Sequence, residues 1–317
     1  MKKQSNARIE RIQKSLRLTG AIVTLSVGVI LPIFLSTSVG IVALVLGEES
    51  LSLVVGILII CFTSAAIGMA ILVTVILGKR ARLARMQADL LANVTHELRT
   101  PLSGIRMYAE TLQIGLVNDS PEQQKHCIDT ILREADWLET VIERMLTWRS
   151  LAKDRYELTM EKAPIKEIIT ETANRFQRML PPDAVRFETH INTDVEIIHD
   201  PQAVGSIVLN LLTNAYKYTK EDKRIALHLD ESEGQVSIRV SDNGIGIPQK
   251  QIQQIFQPFH RVDSTLRGKA SGAGLGLAIV SHLVKAHNGA LSIETQEEEG
   301  SCFQVTLPIY NENFGEV

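Results

Sequence analysis

The chain has 317 residues, 45% of them hydrophobic, and a formal net charge of -3. That length allows about two folded domains, and the near-neutral balance supplies no bulk charge for holding nucleic acid, which is excluded as a partner. Cys61, Cys127 and Cys302 lie far apart without metal-ligand spacing and fit a reducing compartment, not a disulfide framework.

Two uncharged apolar runs, 18–47 and 51–78, follow a basic tail over 1–17. Each exceeds the roughly 20 residues that cross a bilayer as a helix. The sequence therefore predicts a transmembrane hairpin, turned by Glu48, Glu49 and Ser50. Lys2, Lys3, Arg8, Arg11, Lys14 and Arg17 precede the first run, and Lys79, Arg80, Arg82 and Arg85 follow the second. Basic residues favour the inner side, so both termini are expected in the cytoplasm and the chain in the cytoplasmic membrane as a multi-pass protein. Ser64 and Gly68 offer a small-residue face for close helix packing. A three-residue turn holds no sensor domain. A stimulus must act within the bilayer, through a membrane partner protein, or from the cytosol.

A linker helix is expected over 79–88 and a helical hairpin over 89–152. Val94, Leu98, Leu102, Ile105, Ala109, Leu112 and Leu116 recur at three- and four-residue steps, one apolar stripe on a helix. After Asn118 and Asp119, Ser120-Pro121-Glu122-Gln123 reads as a helix start. Ser120 is the N-cap, Pro121 stands in the first turn and Gln123 closes a capping box. Ile128, Ile131, Ala135, Leu138, Ile142 and Met145 stripe the second helix. Two helices with one stripe each cannot bury both, whereas two copies can, so a homodimer forming a four-helix bundle is expected.

His96 lies about 200° around the helix from Val94 and so faces away from the stripe. Glu97 is adjacent, Thr100 shares its face one turn on, and Pro101 removes a backbone donor just below. A neutral imidazole is a nucleophile when one nitrogen keeps its lone pair. A carboxylate taking the proton from the other nitrogen fixes that state, and Glu97 is the candidate. His96-Glu97-Leu98-Arg99-Thr100 lacks the second histidine of a zinc helix, because Thr100 occupies its place.

From residue 153 to 310 the pattern becomes mixed α/β, with a tail over 311–317. Helices are expected over 165–180, 201–218 and 278–287, and strands over 185–191, 225–229, 236–240, 291–295 and 303–307. Helix 201–218, capped by Asp200, has a core stripe and a polar strip of Asn210, Asn214, Lys217 and Tyr218. Two amide oxygens a turn apart, followed by a lysine, suit a hydrated Mg²⁺ and phosphates. Asp242-Asn243-Gly244-Ile245-Gly246 follows a strand. An aspartate there can accept from the adenine amino group and would meet an acceptor on guanine. Phe256-Gln257-Pro258-Phe259-His260-Arg261 reads equally as packing or as a loop anchor with Arg261 on a phosphate. Gly272-Ala273-Gly274-Leu275-Gly276 opens a helix whose N-terminal amides suit phosphate. Polar residues 262–271 read as a flexible cover. No Walker-type or serine/threonine-kinase motif is present.

In this order the pieces resemble the sensor histidine kinases of bacterial two-component systems, over about 85–308. His96 to Pro101 is similar to their H-box and Asn210 to Tyr218 to their N-box. Residues 242–246, 256–261 and 272–276 are similar to their glycine and phenylalanine boxes. The resemblance implies a GHKL-type domain, a mixed sheet backed by helices, binding ATP and Mg²⁺. It implies His96 as phosphoacceptor, Glu97 as base, Asn214 on Mg²⁺ with Asn210 assisting, and Asp242 reading adenine. Lys217 would touch phosphate and Tyr218 line the base pocket, with Gly244, Gly246, Gly272, Gly274 and Gly276 shaping the site. A separate response regulator receiver domain would take the phosphoryl group, and Thr100 would support its dephosphorylation. Gln257 and Asn288 depart from the family's usual residues. The short link from bilayer to His96, about 27 Å of helix, is similar to the intramembrane-sensing members. It predicts that inserting one residue near Ala84 disturbs activity and inserting seven restores it. Two rival readings remain: a GHKL ATPase using ATP for movement, and a catalytically inactive membrane receptor.

Overall fold

The computed structural model describes residues 31–46, 50–153, 155–260 and 273–309. It divides into two compact units, Met1–Met86 and Gln87–Val317.

The first unit contains α1 (Leu31–Leu46) and the start of α2 (Ser50–Gln113). Within α2, Val54–Lys79 is long and apolar enough to cross a membrane by length and composition. Phe34, Val45 and Phe62 point outward at 70% to 75% exposure, as lipid-facing side chains would. The described part of the first predicted run is 16 residues long, and residues 18–30 lie outside the description. The two helices meet at a different place from the one expected. A Cβ on Gly40 would stand 3.0 Å from Ile59 Cγ2 and 3.3 Å from the carbonyl of Gly56, whereas Gly68 has nothing within 4 Å. Gly40 and Gly56 are buried while Ser64 and Gly68 are exposed. Small residues let backbones approach only where they face each other.

In the second unit α2 continues to Gln113 and α3 (Pro121–Leu151) returns. Ser120 caps α3 as expected, its Oγ accepting from the Gln123 amide at 3.3 Å. The amide of Ser120 itself donates to the Val117 carbonyl, closing the turn that Gly115 enters at φ +73°. Pro101 sits inside α2 without ending it. The predicted stripe splits in use. Val94 is buried and Leu98 half-buried against the core of the following lobe, while Leu102 and Leu116 are exposed. On α3, Ile128, Leu132, Ile142 and Leu146 are exposed as well.

The lobe begins with β1 (Glu161–Pro164) and α4 (Ile165–Met179), followed by β2 (Arg186–Ile191), β3 (Glu196–His199) and α5 (Pro201–Tyr218). Then come β4 (Arg224–Ser232), β5 (Gln235–Asp242), α6 (Gly276–Ala286), β6 (Ala290–Gln296) and β7 (Gly300–Pro308). Five strands form a mixed sheet in the order β2-β4-β5-β7-β6, with β2 and β4 parallel and the other pairs antiparallel. A small antiparallel pair, β1 with β3, stands apart. Alternation fixes the covered face. Ile225, Leu227, Leu229, Val236, Ile238, Val240, Val305 and Leu307 are all buried. Phe176 of α4 is fully buried, edge-on to Phe187 at 5.2 Å. Side chains of this kind each contribute about 1.5–3 kcal/mol on burial.

Asp200 fixes where α5 starts. Its Oδ1 accepts from the Ala203 amide and its Oδ2 from the Thr159 amide, both at 2.9 Å. Its own amide donates to His287 Nε2 at 3.2 Å. One side chain thus ties the entry segment to the helix that carries the polar strip.

Candidate nucleotide site

Helix α5 presents Asn214, Lys217 and Tyr218 to a cavity at one end of the sheet. Asp242, Gly246, His260, Gly274 and Gly276 line the same cavity. From the hairpin, Glu97 of α2 and Val141, Arg144 and Met145 of α3 complete the wall. Residues separated by more than 100 positions in sequence therefore converge on one space.

Asp242 ends β5 in phase with the buried Val236, Ile238 and Val240, so its carboxyl turns inward. Burial pushes its pKa up to about 6, against the opposing pull of the Gly244 and Ser301 amides. The Gly244 amide donates to Asp242 Oδ1 at 2.8 Å. Gly244 itself does not line the cavity. A Cβ there would meet Asp242 Oδ1 at 2.5 Å and the Tyr218 carbonyl at 2.8 Å, so its role is to let two segments close around the aspartate. Gly246 adopts φ +63°, and a Cβ would stand 2.0 Å from the Gln296 carbonyl. That position admits glycine for reasons of backbone packing, beside its place in the cavity wall.

Asn210 is buried, with Nδ2 donating to the Ser206 carbonyl at 2.8 Å. Its Oδ1 is enclosed without a hydrogen-bond partner. A Cβ on Gly276 would lie 3.0 Å from that oxygen and 3.5 Å from Asn214 Nδ2, so the start of α6 closes directly on the asparagine pair. An orphaned hard oxygen beside a second amide suits a Mg²⁺ that keeps several of its other ligands from water and phosphate. Among the described residues no cluster of three or more His, Cys, Asp or Glu side chains forms a metal site.

The phenylalanine segment is an anchor. Phe256 and Phe259 pack against the core, and the Phe259 amide donates to the Gly274 carbonyl at 2.9 Å. Trp148 of α3 stacks edge-on to Phe259 at 5.8 Å and to His282 at 5.9 Å. Arg261, Gly272 and the predicted cover 262–271 lie outside the described residues.

On the hairpin, His96 is exposed and the neighbouring Glu97 is mostly enclosed. The Thr100 hydroxyl donates to the His96 carbonyl at 3.3 Å, one turn back. Glu97 Oε1 stands 3.7 Å from Lys217 Nζ, and that Nζ lies 5.6 Å above the Tyr218 ring. Glu97, Thr100, Pro101 and Lys217 also line a second groove, with Trp137 and Met179.

Sequence reading missed Val141, Arg144 and Met145 as cavity residues, because no local pattern says that α3 docks on the lobe. His260 was missed as well. It lines the cavity with Nδ1 enclosed and unpartnered. Its place next to Phe259, in the loop anchor, was the available signal.

Known proteins match this chain over the same regions. Residues 86–152 match the His Kinase A (phospho-acceptor) domain, and residues 199–311 match the histidine kinase-, DNA gyrase B- and HSP90-like ATPase family. The sensor protein kinase WalK of Staphylococcus saprophyticus subsp. saprophyticus is 32% identical over 226 residues, 71% of this chain and 37% of that protein. WalK of Staphylococcus aureus is 31% identical over 226 residues, 71% of this chain and 54% of that protein. This chain thus spans about half or less of the relatives it matches. The solved mycobacterial sensor histidine kinase MprB is 29% identical, with a TM-score of 0.42, covering 47% of this chain and 97% of that one. With a phospho-acceptor domain followed by an ATPase domain in one polypeptide, this chain belongs to the bacterial two-component sensor histidine kinases.

Proposed function

We propose that this chain is a membrane-anchored protein histidine kinase that phosphorylates His96 with ATP. One observation carries the reading. Glu97, next to an exposed histidine, lines the same cavity as Asn214, Lys217, Tyr218 and Asp242. In the reaction an imidazole nitrogen of His96 forms a bond to the γ-phosphorus, the bond from that phosphorus to the ADP oxygen breaks, and Glu97 takes the proton from the other nitrogen. Asp242 accepts from the adenine amino group, Tyr218 lines the base pocket and Lys217 neutralises phosphate. Asn214 and Asn210 would hold Mg²⁺, which would offset negative charge on the phosphates when bound.

The phosphoryl group then passes to an aspartate of a response regulator, and Thr100, one turn from His96, positions water for the reverse task. Exposed Leu102, Ile128, Leu132, Ile142 and Leu146 support pairing of two hairpins as a four-helix bundle. Val54–Lys79 supports anchoring in the membrane, with residues 18–47 as the second span and both termini in the cytoplasm.

The test is incubation of the full chain in lipid with γ-labelled ATP and Mg²⁺. The expected product is an acid-labile, base-stable protein phosphate that His96→Gln abolishes. Wild-type protein that binds Mg-ATP in lipid yet incorporates no label overturns the proposal.

A further inference from the structure

Arg144 is the charged side chain that α3 contributes to the cavity, among the described residues lining it. Its Nη2 donates to the Thr213 hydroxyl, a neutral partner whose own hydrogen goes to the Leu209 carbonyl at 2.6 Å. Its Nε is enclosed and has no hydrogen-bond partner. Burial lowers the guanidinium pKa from its ordinary value, with Glu97, Glu143 and Tyr218 acting in the other direction. Neither nearby carboxylate serves Arg144 alone. Glu143 is 3.0 Å from Arg175, and Glu97 is 3.7 Å from Lys217. Arg144 and Lys217 thus both feel the Glu97 carboxylate at the hairpin side of the cavity. An enclosed guanidinium with an unused donor is costly unless an anion completes it.

We infer that Arg144 is a hairpin-borne ligand for the terminal phosphates of the bound nucleotide. The inference rests on reading the cavity as the ATP site, and it adds a contact from α3 to those from the lobe. A phosphate suits the site because guanidinium donors match its oxygens in pairs, and because the Lys217 ammonium lines the same cavity. As phosphate draws both cations, Glu97 loses its hold on Lys217 and becomes available to its neighbour His96. Nucleotide binding and arming of the base are then one event, and Arg144 contacts the substrate itself.

The experiment compares wild-type full chain in lipid nanodiscs with Arg144→Gln and Arg144→Lys, by calorimetric titration. The probes are a non-hydrolysable ATP analogue with Mg²⁺, ADP with Mg²⁺, and adenosine. Loss of a charged hydrogen bond to phosphate is expected to weaken the analogue at least about tenfold in Arg144→Gln. Adenosine affinity is expected to change less than about twofold, and Arg144→Lys to recover part of the loss. A side chain that serves only to pack the hairpin on the lobe would shift all three probes alike, and that result overturns the inference. Tighter binding of the analogue in Arg144→Gln overturns it too, since the docked arginine would then be competing with nucleotide. If the wild type binds none of the probes, the ATP reading fails and this inference falls with it. That outcome is distinct from normal wild-type binding with an unchanged pattern in the variant.

Discussion

Glu97 and Lys217 face each other across the cleft, 3.7 Å between Oε1 and Nζ, with side chains 12% and 19% exposed. Each is therefore engaged by the other, at the point where the proposed reaction assigns one to His96 and the other to phosphate. Glu97→Gln separates the two tasks. Removing a general base is expected to slow phosphorylation of His96 by about 10²–10⁴-fold. The same change removes the carboxylate beside Lys217, so Mg-ADP is expected to bind as tightly as in the wild type or more tightly. Rapid-quench labelling measures the first effect and calorimetry the second. Equal loss of both would mean that Glu97 only supports the fold of the cleft.

Asp242 gives the site a pH dependence. Its carboxyl is raised from 3.8 to about 6, because burial penalises the charged form. A raised carboxyl pKa means that the folded chain holds the proton more tightly than the unfolded chain. Stability without nucleotide therefore declines as pH rises from about 4 to about 6, by about 3 kcal/mol from this group. Asp242→Asn is expected to remove that slope, seen as convergence of the two melting curves at pH 4 and their separation at pH 7, with the variant the more stable. Nucleotide binding favours the ionised acceptor, so affinity should fall as pH drops through about 6. Identical pH profiles in wild type and variant would refute this account.

The two glycine segments do different jobs, and alanine tells them apart. Gly246→Ala meets the Gln296 carbonyl at 2.0 Å and a positive φ, so it should cost about 2 kcal/mol or more of stability. Gly276→Ala meets Asn210 Oδ1 at 3.0 Å and the Asn214 amide at 3.5–3.6 Å, at the first residue of α6. Its melting temperature should stay within about 3 °C of wild type, while Mg-nucleotide affinity falls about tenfold as the asparagines are displaced. Circular dichroism melts and nucleotide titration check both. A cold-stable Gly276→Ala protein with normal affinity would remove the asparagine pair from the metal assignment.

Docking of α3 on the lobe has an electrostatic and an aromatic component. Arg175 of α4 reaches Glu143 at 3.0 Å and Glu139 at 3.4 Å, and Trp148 lies against Phe259 and His282. Reversing the charge in Arg175→Glu places three carboxylates together and is expected to loosen the contact without unfolding either part. In a Trp137→Phe background, Trp148 emission should shift to the red by several nanometres. An unchanged spectrum would show that the aromatic contacts alone hold the hairpin.

Much of this was legible in the chain because the signals were local and repeated. Helix α5 starts and ends at the residues expected, since Asp200 supplies the cap and Pro201 the first turn. The five sheet strands lie where they were expected, with ends shifted by at most three residues. By contrast β1 and β3 were not read. Each is four residues long and gains its meaning only from pairing with the other across more than 30 residues. The hairpin stripe was visible, but not its division between the lobe, which takes Val94 and Leu98, and the open face that keeps Leu102. Gly40 and Gly56 escaped notice because a close approach depends on which small residues oppose each other, and sequence spacing within one helix does not say. Arg144 was unreadable for a related reason. Its environment is made by α5, which lies about 60 positions further on.

Val141, Arg144 and Met145 share one wall with Asn214 and Asp242, so a small molecule lodged there touches the hairpin and the lobe at once. Such a compound gains affinity only from the arrangement in which both halves are present, and by mass action it holds them together. A tight inhibitor of this kind would behave as an adhesive between hairpin and lobe, whereas a mimic that reaches the lobe alone merely occupies the seat. Chemists screening against the isolated ATPase lobe would never see it.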